Sequence, residues 1–253
     1  MVHRAICLSG LTPANSIYAP LAGALAGHAE LVLKDLEAYG ATLPAGYRPA
    51  TELAGINWAA DASGWERFHL VGHSFGASIA LAYACDRPQR VQSLVLVEPP
   101  FVGTDTSWSE QYAALLHSLD DALRASLAER PRAFRRALTA PGEEIPSSGS
   151  GSMPDWLLPR SERQGLIWPL WRAPDSGPKR LLPPVEAIYI AVGGRTHPGF
   201  RVVADWLAHQ LSAATIDVYP ERDHFDPPHV AEPEGFAAAV LAMWDTSTTA
   251  RGR

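Results

Sequence analysis

The chain has 253 residues, which at about 150 residues per domain means one large domain or a domain carrying an insert. It is 47% hydrophobic and 19% charged, with 8 Trp, 7 Tyr and 7 Phe, a balance that excludes a disordered or fibrous protein. With 21 Lys and Arg against 27 Asp and Glu, the net charge of −6 excludes the basic field that draws phosphate backbones or anionic lipid, so no nucleic-acid partner is expected.

In chain order, short apolar or β-branched runs bounded by Gly, Pro and Asp fall at Arg4–Leu8, Ala29–Lys34, Phe68–Gly72, Val91–Val97, Ala187–Val192 and Thr215–Tyr219, and each predicts a strand. Cys7 and Cys85 sit in apolar stretches and read as buried thiols, without the spacing of a disulfide framework or a metal site. Helical spacing joins Ile17, Leu21 and Leu25 on one face, then Phe200, Val203, Leu207 and Leu211, then Phe236, Val240 and Trp244. Strands alternating with helices imply right-handed crossovers and a parallel, doubly wound α/β sheet of about six strands.

The alternation stops after Pro99-Pro100 and resumes after Pro183-Pro184. The 84 residues from Phe101 to Pro184 read instead as helices at Gln111–His117, Leu119–Glu129 and Pro131–Thr139, with a Trp-rich piece around Trp156–Trp171. The expected organisation is therefore a core of residues 1–100 and 185–253 and a helical insert of residues 101–184. Within the insert, Pro146–Pro154 has the Ser/Gly composition of a linker. No stretch reaches 18 apolar residues, and the N-terminus enters a strand-like run without the apolar segment of a signal peptide, so no membrane span and a cytoplasmic location are expected.

The strongest local signal is Gly72-His73-Ser74-Phe75-Gly76, which closes an apolar strand and opens the small-residue helix Ala77–Cys85. A G-x-S-x-G turn between strand and helix is a nucleophile elbow. The serine takes a strained conformation that exposes its hydroxyl, and the flanking glycines let strand and helix pack closely. The Phe75 N–H, at the helix N-terminus, then points at a developing oxyanion.

With this motif in place, residues 5–99 and 186–240 resemble the α/β-hydrolase superfamily, and Phe101–Pro184 falls where that family inserts its cap. The resemblance implies that the family's first two strands are missing, since Arg4–Leu8 matches its third. It places Leu11, after Ser9-Gly10, at the second oxyanion N–H donor. Asp35–Gly40 stands where the family has a glycine-richer turn. The family order of serine, acid and histidine puts the base downstream of Ser74, and the resemblance assigns it to His224, which follows the last strand by a short loop and carries Asp223 before it in place of the family's usual glycine. His229 reads as a capping or surface group, and His117 and His209 as solvated.

The acid is where this sequence departs from its relatives. Most members carry Asp after the penultimate strand, whereas this chain reads Gly193-Gly194-Arg195-Thr196-His197-Pro198. Some branches, haloalkane dehalogenases among them, take the acid from the preceding strand end, which here closes on Glu98. A carboxylate ending a buried apolar strand needs a partner, and a ring N–H of His224 would supply one. Glu98 is the favoured acid, with Asp223, Asp226, Asp205 and a dyad without a carboxylate left open. His197 reads as a loop residue at the rim of the site. Asp217 is expected to face solvent, and Arg160, Arg163 and Arg172 to be solubilising, with steering of an anionic substrate as the alternative. Trp108, Trp156, Trp168, Trp171, Phe101 and Tyr112 are expected partly to pack the insert onto the sheet and partly to line an apolar pocket.

The resemblance implies a serine hydrolase acting on a small-molecule ester, thioester or lactone with an apolar acyl group, and needing neither metal nor organic cofactor. A non-hydrolytic enzyme on the same scaffold, of the hydroxynitrile lyase or cofactor-free haloperoxidase type, keeps the same residue set and is the alternative. A ligand-binding pseudoenzyme is a further one, against which the complete set of Ser74, His224 and Glu98 argues.

Overall fold

The computed structural model describes residues 2–144, 154–173, 180–185 and 187–249. Six parallel strands, β1 (His3–Leu8), β2 (Ala29–Lys34), β3 (Phe68–His73), β4 (Val91–Val97), β5 (Ile188–Gly193) and β6 (Ala214–Tyr219), form one sheet in the order β2-β1-β3-β4-β5-β6. These are the six runs expected from the sequence, with ends moved by a residue.

Burial explains why they read as they do. Strands β3 and β5 are buried at every position, as parallel strands covered on both faces must be, so they are continuous apolar runs. The edge strands β2 and β6 are only partly covered and carry Glu30, Lys34 and Asp217, charges that blunt a sheet edge against further pairing. Asp217 is exposed as expected, and accepts a hydrogen bond from the Tyr189 hydroxyl at 2.8 Å.

Alternate strand residues feed two cores, following the twofold period of the pleat. Ile6, Leu70, Leu94 and Ile190 face helices α3 (Pro49–Ala62), α4 (Phe75–Asp86) and α8 (Pro198–Gln210), while Ala5, Val71, Val95 and Ala191 face α1 (Ala14–Ile17), α2 (Ala19–Ala24) and α10 (Pro233–Thr249). The stripe Ile17, Leu21, Leu25 is thus two short helices and not one. Pro20 stands at the start of α2, where its missing N–H could not continue a helix begun by α1.

Between β4 and β5 lie α5 (Glu110–Arg124), α6 (Arg130–Leu138) and α7 (Leu157–Arg172). The Ser109 hydroxyl caps α5 by accepting from the Tyr112 N–H at 3.2 Å. The two helices expected at 111–117 and 119–129 are one, because Tyr112, Leu115, Leu116, Leu119, Ala122 and Leu123 form an unbroken buried stripe. The linker-like tract falls mostly at residues 146–153, outside the described residues. The remaining helix, α9 (Pro228–Ala231), follows β6.

The chain leaves β1 for β2 on one side and reaches β3 on the other. In a parallel sheet that reversal opens a crevice beyond the strands' carboxyl ends. Ser74 directly follows β3 at that point.

Candidate active site

Ser74 occupies the turn from β3 into α4 with φ 56° and ψ −131°, a backbone conformation that costs a non-glycine residue of order 1–3 kcal/mol and recurs at functional sites. Its own N–H is held by the Val97 carbonyl at 2.9 Å. The glycines of the motif serve close approach: a Cβ on Gly76 would lie 2.3 Å from the Leu8 carbonyl oxygen, so α4 could not pack against the end of β1.

Glu98 ends β4 in the same manner, with φ 50° and its N–H on the Ala191 carbonyl at 3.2 Å. One carboxylate oxygen, Oε1, accepts from the Gly193 N–H at 2.7 Å, and Oε2 lies 2.6 Å from Nδ1 of His224. The other ring nitrogen, Nε2, lies 2.9 Å from Ser74 Oγ. Three residues from three strand ends thus form one hydrogen-bonded chain, all of it buried. Phe200 stacks on the His224 ring at 4.9 Å and fixes its plane.

Burial decides the protonation states. It pushes the Glu98 carboxyl up to about 8, against the Gly193 N–H, which pulls it down. It pushes the His224 imidazole down to about 3. A ring that resists protonation presents a lone pair to the serine hydroxyl, which a general base requires.

The other candidate carboxylates are engaged elsewhere. Asp223 accepts from the Phe225 and Asp226 N–H groups at 2.6 and 2.8 Å, Asp226 pairs with Arg222 at 2.7 Å, and Asp205 pairs with Arg201 at 2.8 Å. Thr196, in the loop after β5 where the resemblance leads one to expect the acid, is buried and donates to the Gly193 carbonyl at 2.9 Å. His197 caps α8 through Nδ1, which accepts from the Gly199 N–H at 3.0 Å.

Gly10 sits so close to Ser74 that a Cβ there would be 2.8 Å from Ser74 Cβ and 3.1 Å from Oγ. The Gly10–Leu11 peptide therefore runs beside the serine hydroxyl. Among the described residues neither the Leu11 nor the Phe75 N–H has a hydrogen-bond partner, so the structure brings two free donors to this end of the site.

Three readings from sequence need correction. His229 is fully buried, stacked on Tyr18 at 5.1 Å and within 5.0 Å of the His73 ring, which is in turn 5.0 Å from His224. Both rings are held well below the ordinary imidazole range by burial, so neither brings a positive charge behind His224. His73 was visible as the variable residue of the motif, but its packing was not. The insert arginines are not solubilising: Arg160 is 11% exposed and forks onto Asp35, Arg163 donates to the carbonyls of Ala38, Gly40 and Ala41, and Arg172 pairs with Asp120 at 3.5 Å. His117 and His209 are exposed as expected. Cys7 is buried, whereas Cys85 is half-buried.

A small pocket opens over Ser74, walled by Leu119 and Leu123 of α5, Phe134 and Leu138 of α6, and Gln164 and Trp168 of α7. Of the aromatic residues singled out from sequence, Trp168 lines it, Trp171 packs edge-on against Phe75 at 5.3 Å, and Trp108 stacks between Tyr112 and Trp206 at 4.9 and 4.8 Å. Among the described residues no cluster of His, Cys, Asp and Glu could hold a metal ion, and no helix is long and apolar enough to cross a membrane.

Comparison with known proteins agrees with this architecture. Residues 8–141 match the family described as alpha/beta hydrolase fold. A proposed carbamate hydrolase, RutD, of Variovorax paradoxus (strain S110) is 36% identical over 134 residues, covering 51% of this chain and 47% of that protein. The match thus spans about half the length of that relative. Among solved structures, an esterase from Exiguobacterium antarcticum superposes with a TM-score of 0.70 at 18% identity, covering 96% of this chain and 92% of the other. A haloalkane dehalogenase variant from Bradyrhizobium elkanii superposes with a TM-score of 0.66 at 18% identity, covering 99% and 91%. With the matched family spanning more than half the chain, and a sheet order and elbow to suit it, this protein belongs to the α/β-hydrolase fold family.

Proposed function

We propose that this protein is a serine hydrolase that cleaves a carboxylic ester, thioester, lactone or carbamate through an acyl-enzyme on Ser74. The observation that carries the reading is the chain Ser74 Oγ to His224 Nε2 at 2.9 Å and His224 Nδ1 to Glu98 Oε2 at 2.6 Å, built on a strained elbow. The carbamate enters because it is the substrate class named for the Variovorax relative, and it undergoes acyl transfer by the same steps.

Ser74 Oγ attacks the carbonyl carbon as His224 Nε2 takes its proton. Glu98, accepting from Nδ1–H, holds the ring in the tautomer that leaves Nε2 free and stabilises the imidazolium that forms. The Phe75 and Leu11 N–H groups take the oxyanion, each such donor being worth about 10²–10³ in rate. The imidazolium then gives its proton to the leaving group. A water deprotonated by the same nitrogen releases the acyl group, and Ser74 recovers its proton. Helices α5, α6 and α7 act as a cap, and their apolar side chains over Ser74 favour an apolar acyl group.

An active-site-directed fluorophosphonate tests this directly. It should label Ser74 in the wild type and not in Ser74→Ala, and the variant should lose turnover of p-nitrophenyl esters. Absence of labelling, or full turnover by the variant, would remove the serine mechanism.

A further inference from the structure

Among the described residues, one side chain in the pocket wall besides Ser74 carries an amide or hydroxyl group. Gln164, on α7, is 4% exposed and borders the same small space as Ser74. A buried amide is costly unless its hydrogen bonds are made. Its Oε1 accepts from the Tyr39 hydroxyl, whereas Nε2 has no hydrogen-bond partner among the described residues.

That orientation is secured from several directions. The Arg160 guanidinium lies over the Tyr39 ring, 4.8 Å from its centroid, and donates both to Asp35 and, at 3.3 Å, to the Leu11 carbonyl. Asp35 also accepts from the Ala14 N–H at 2.8 Å. Arg160 and Gln164 are one turn apart on α7, so the ion pair to Asp35 and the hydrogen bond to the Leu11 carbonyl also set where the amide stands relative to Ser74. Tyr39 holds the acceptor end of the amide and leaves the donor end free.

We infer that Gln164 is a specificity-determining residue, whose N–H donates to an oxygen acceptor on the acyl group bound at Ser74. The favoured substrates carry, within an otherwise apolar acyl group, one ether, ester, amide or carbamoyl oxygen close to the scissile carbonyl. The physical reason is an asymmetry. A site built around a buried donor rejects an analogue that lacks the acceptor, because the donor is then desolvated with nothing in return. The surrounding leucines discriminate far less sharply between chains of equal length.

The inference rests on Ser74 as the nucleophile, and the test separates the two. The probes are p-nitrophenyl methoxyacetate and p-nitrophenyl butyrate, which differ by an oxygen in place of a methylene. The ratio of their kcat/KM values is compared between wild type and variants, so that intrinsic reactivity cancels. Gln164→Met, which keeps the bulk and removes both donors, should lower the methoxyacetate-to-butyrate ratio about five- to tenfold, the scale of one hydrogen bond. Gln164→Glu, which keeps the shape and puts an acceptor there, should lower it at least as far, and Tyr39→Phe by less. Fluorophosphonate labelling of Ser74 is followed in each protein. A ratio within twofold of wild type in Gln164→Met, with Ser74 still labelled at the wild-type rate, overturns the role of Gln164 and leaves the serine mechanism standing. A wild type that does not label overturns both.

Discussion

Replacing Glu98 by glutamine probes the site most sharply, because it changes the identity of one atom facing His224. Glu98 Oε1 accepts from the Gly193 N–H at 2.7 Å, so in Glu98→Gln the amide oxygen takes that position and the NH₂ takes the place of Oε2, 2.6 Å from His224 Nδ1. Two donors cannot face each other at that distance. The ring therefore shifts its proton to Nε2, where it points at Ser74 Oγ and can no longer accept the serine proton. In a serine triad this wrong tautomer lowers kcat by about 10⁴, or about 5.5 kcal/mol of transition-state stabilisation. Turnover of p-nitrophenyl butyrate should fall by that order at a pH above the raised Glu98 value of about 8, with the far-ultraviolet circular dichroism spectrum unchanged. Stability moves the other way. A carboxyl whose value is raised on folding contributes most stability at low pH and loses that contribution as pH rises through the folded value. An uncharged amide is free of this penalty, so the variant should melt no lower than the wild type in the same alkaline buffer. Activity within tenfold of wild type would refute the reasoning and move the acid away from Glu98.

Two further outcomes follow from the same geometry. The Glu98–His224 pair takes up one proton as pH falls, and whether that proton sits on Oε2 or on the ring, His224 Nε2 stops accepting from Ser74. Since burial raises Glu98 to about 8, kcat/KM should be highest above that value and fall about tenfold per pH unit below it; a plateau extending below pH 6 in a pH–rate profile would contradict the assignment. Gly10→Ala would place a methyl 2.8 Å from Ser74 Cβ and push the Leu11 peptide away, so kcat should drop by at least about 10², the worth of one oxyanion donor, and the melting temperature should fall by several degrees, since such overpacking costs about 1–3 kcal/mol. Wild-type kcat in that variant would take Leu11 out of the oxyanion site.

The comparison of sequence with structure divides along a physical line. Strand β3 and the elbow after it were legible because their signals are local: a continuous apolar run, two glycines two residues either side of Ser74, and a small-residue helix directly behind. The same holds for β4, whose closing residue drew attention as a lone carboxylate at the end of a buried run. The helices between β4 and β5 were legible in kind but not in count, since nothing in Ser118-Leu119 breaks the buried stripe of α5. The join between α1 and α2 was missed for the opposite reason, the apolar spacing running straight across a proline.

What the amino-acid order determines by itself is therefore the set of elements and the chemical inventory: six strand-like runs, their parallel alternation with helices, a serine in an elbow, and carboxylates and histidines placed after strands. Only the tertiary structure decides which of those groups meet. Glu98 and His224 are 126 positions apart and come together because β5 lies between β4 and β6, so that three strand ends share one edge. His229 looks like a surface residue in sequence and is buried because α9 folds back against α2 and the His73 ring. Arg160 and Gln164, a turn apart on an outwardly ordinary helix, become a tether and a pocket wall because α7 lands on the loops after β1 and β2. Local pattern encodes conformation through steric preference and hydrophobic period; contact between distant groups depends on how whole layers pack, and that is settled by the fold as a unit.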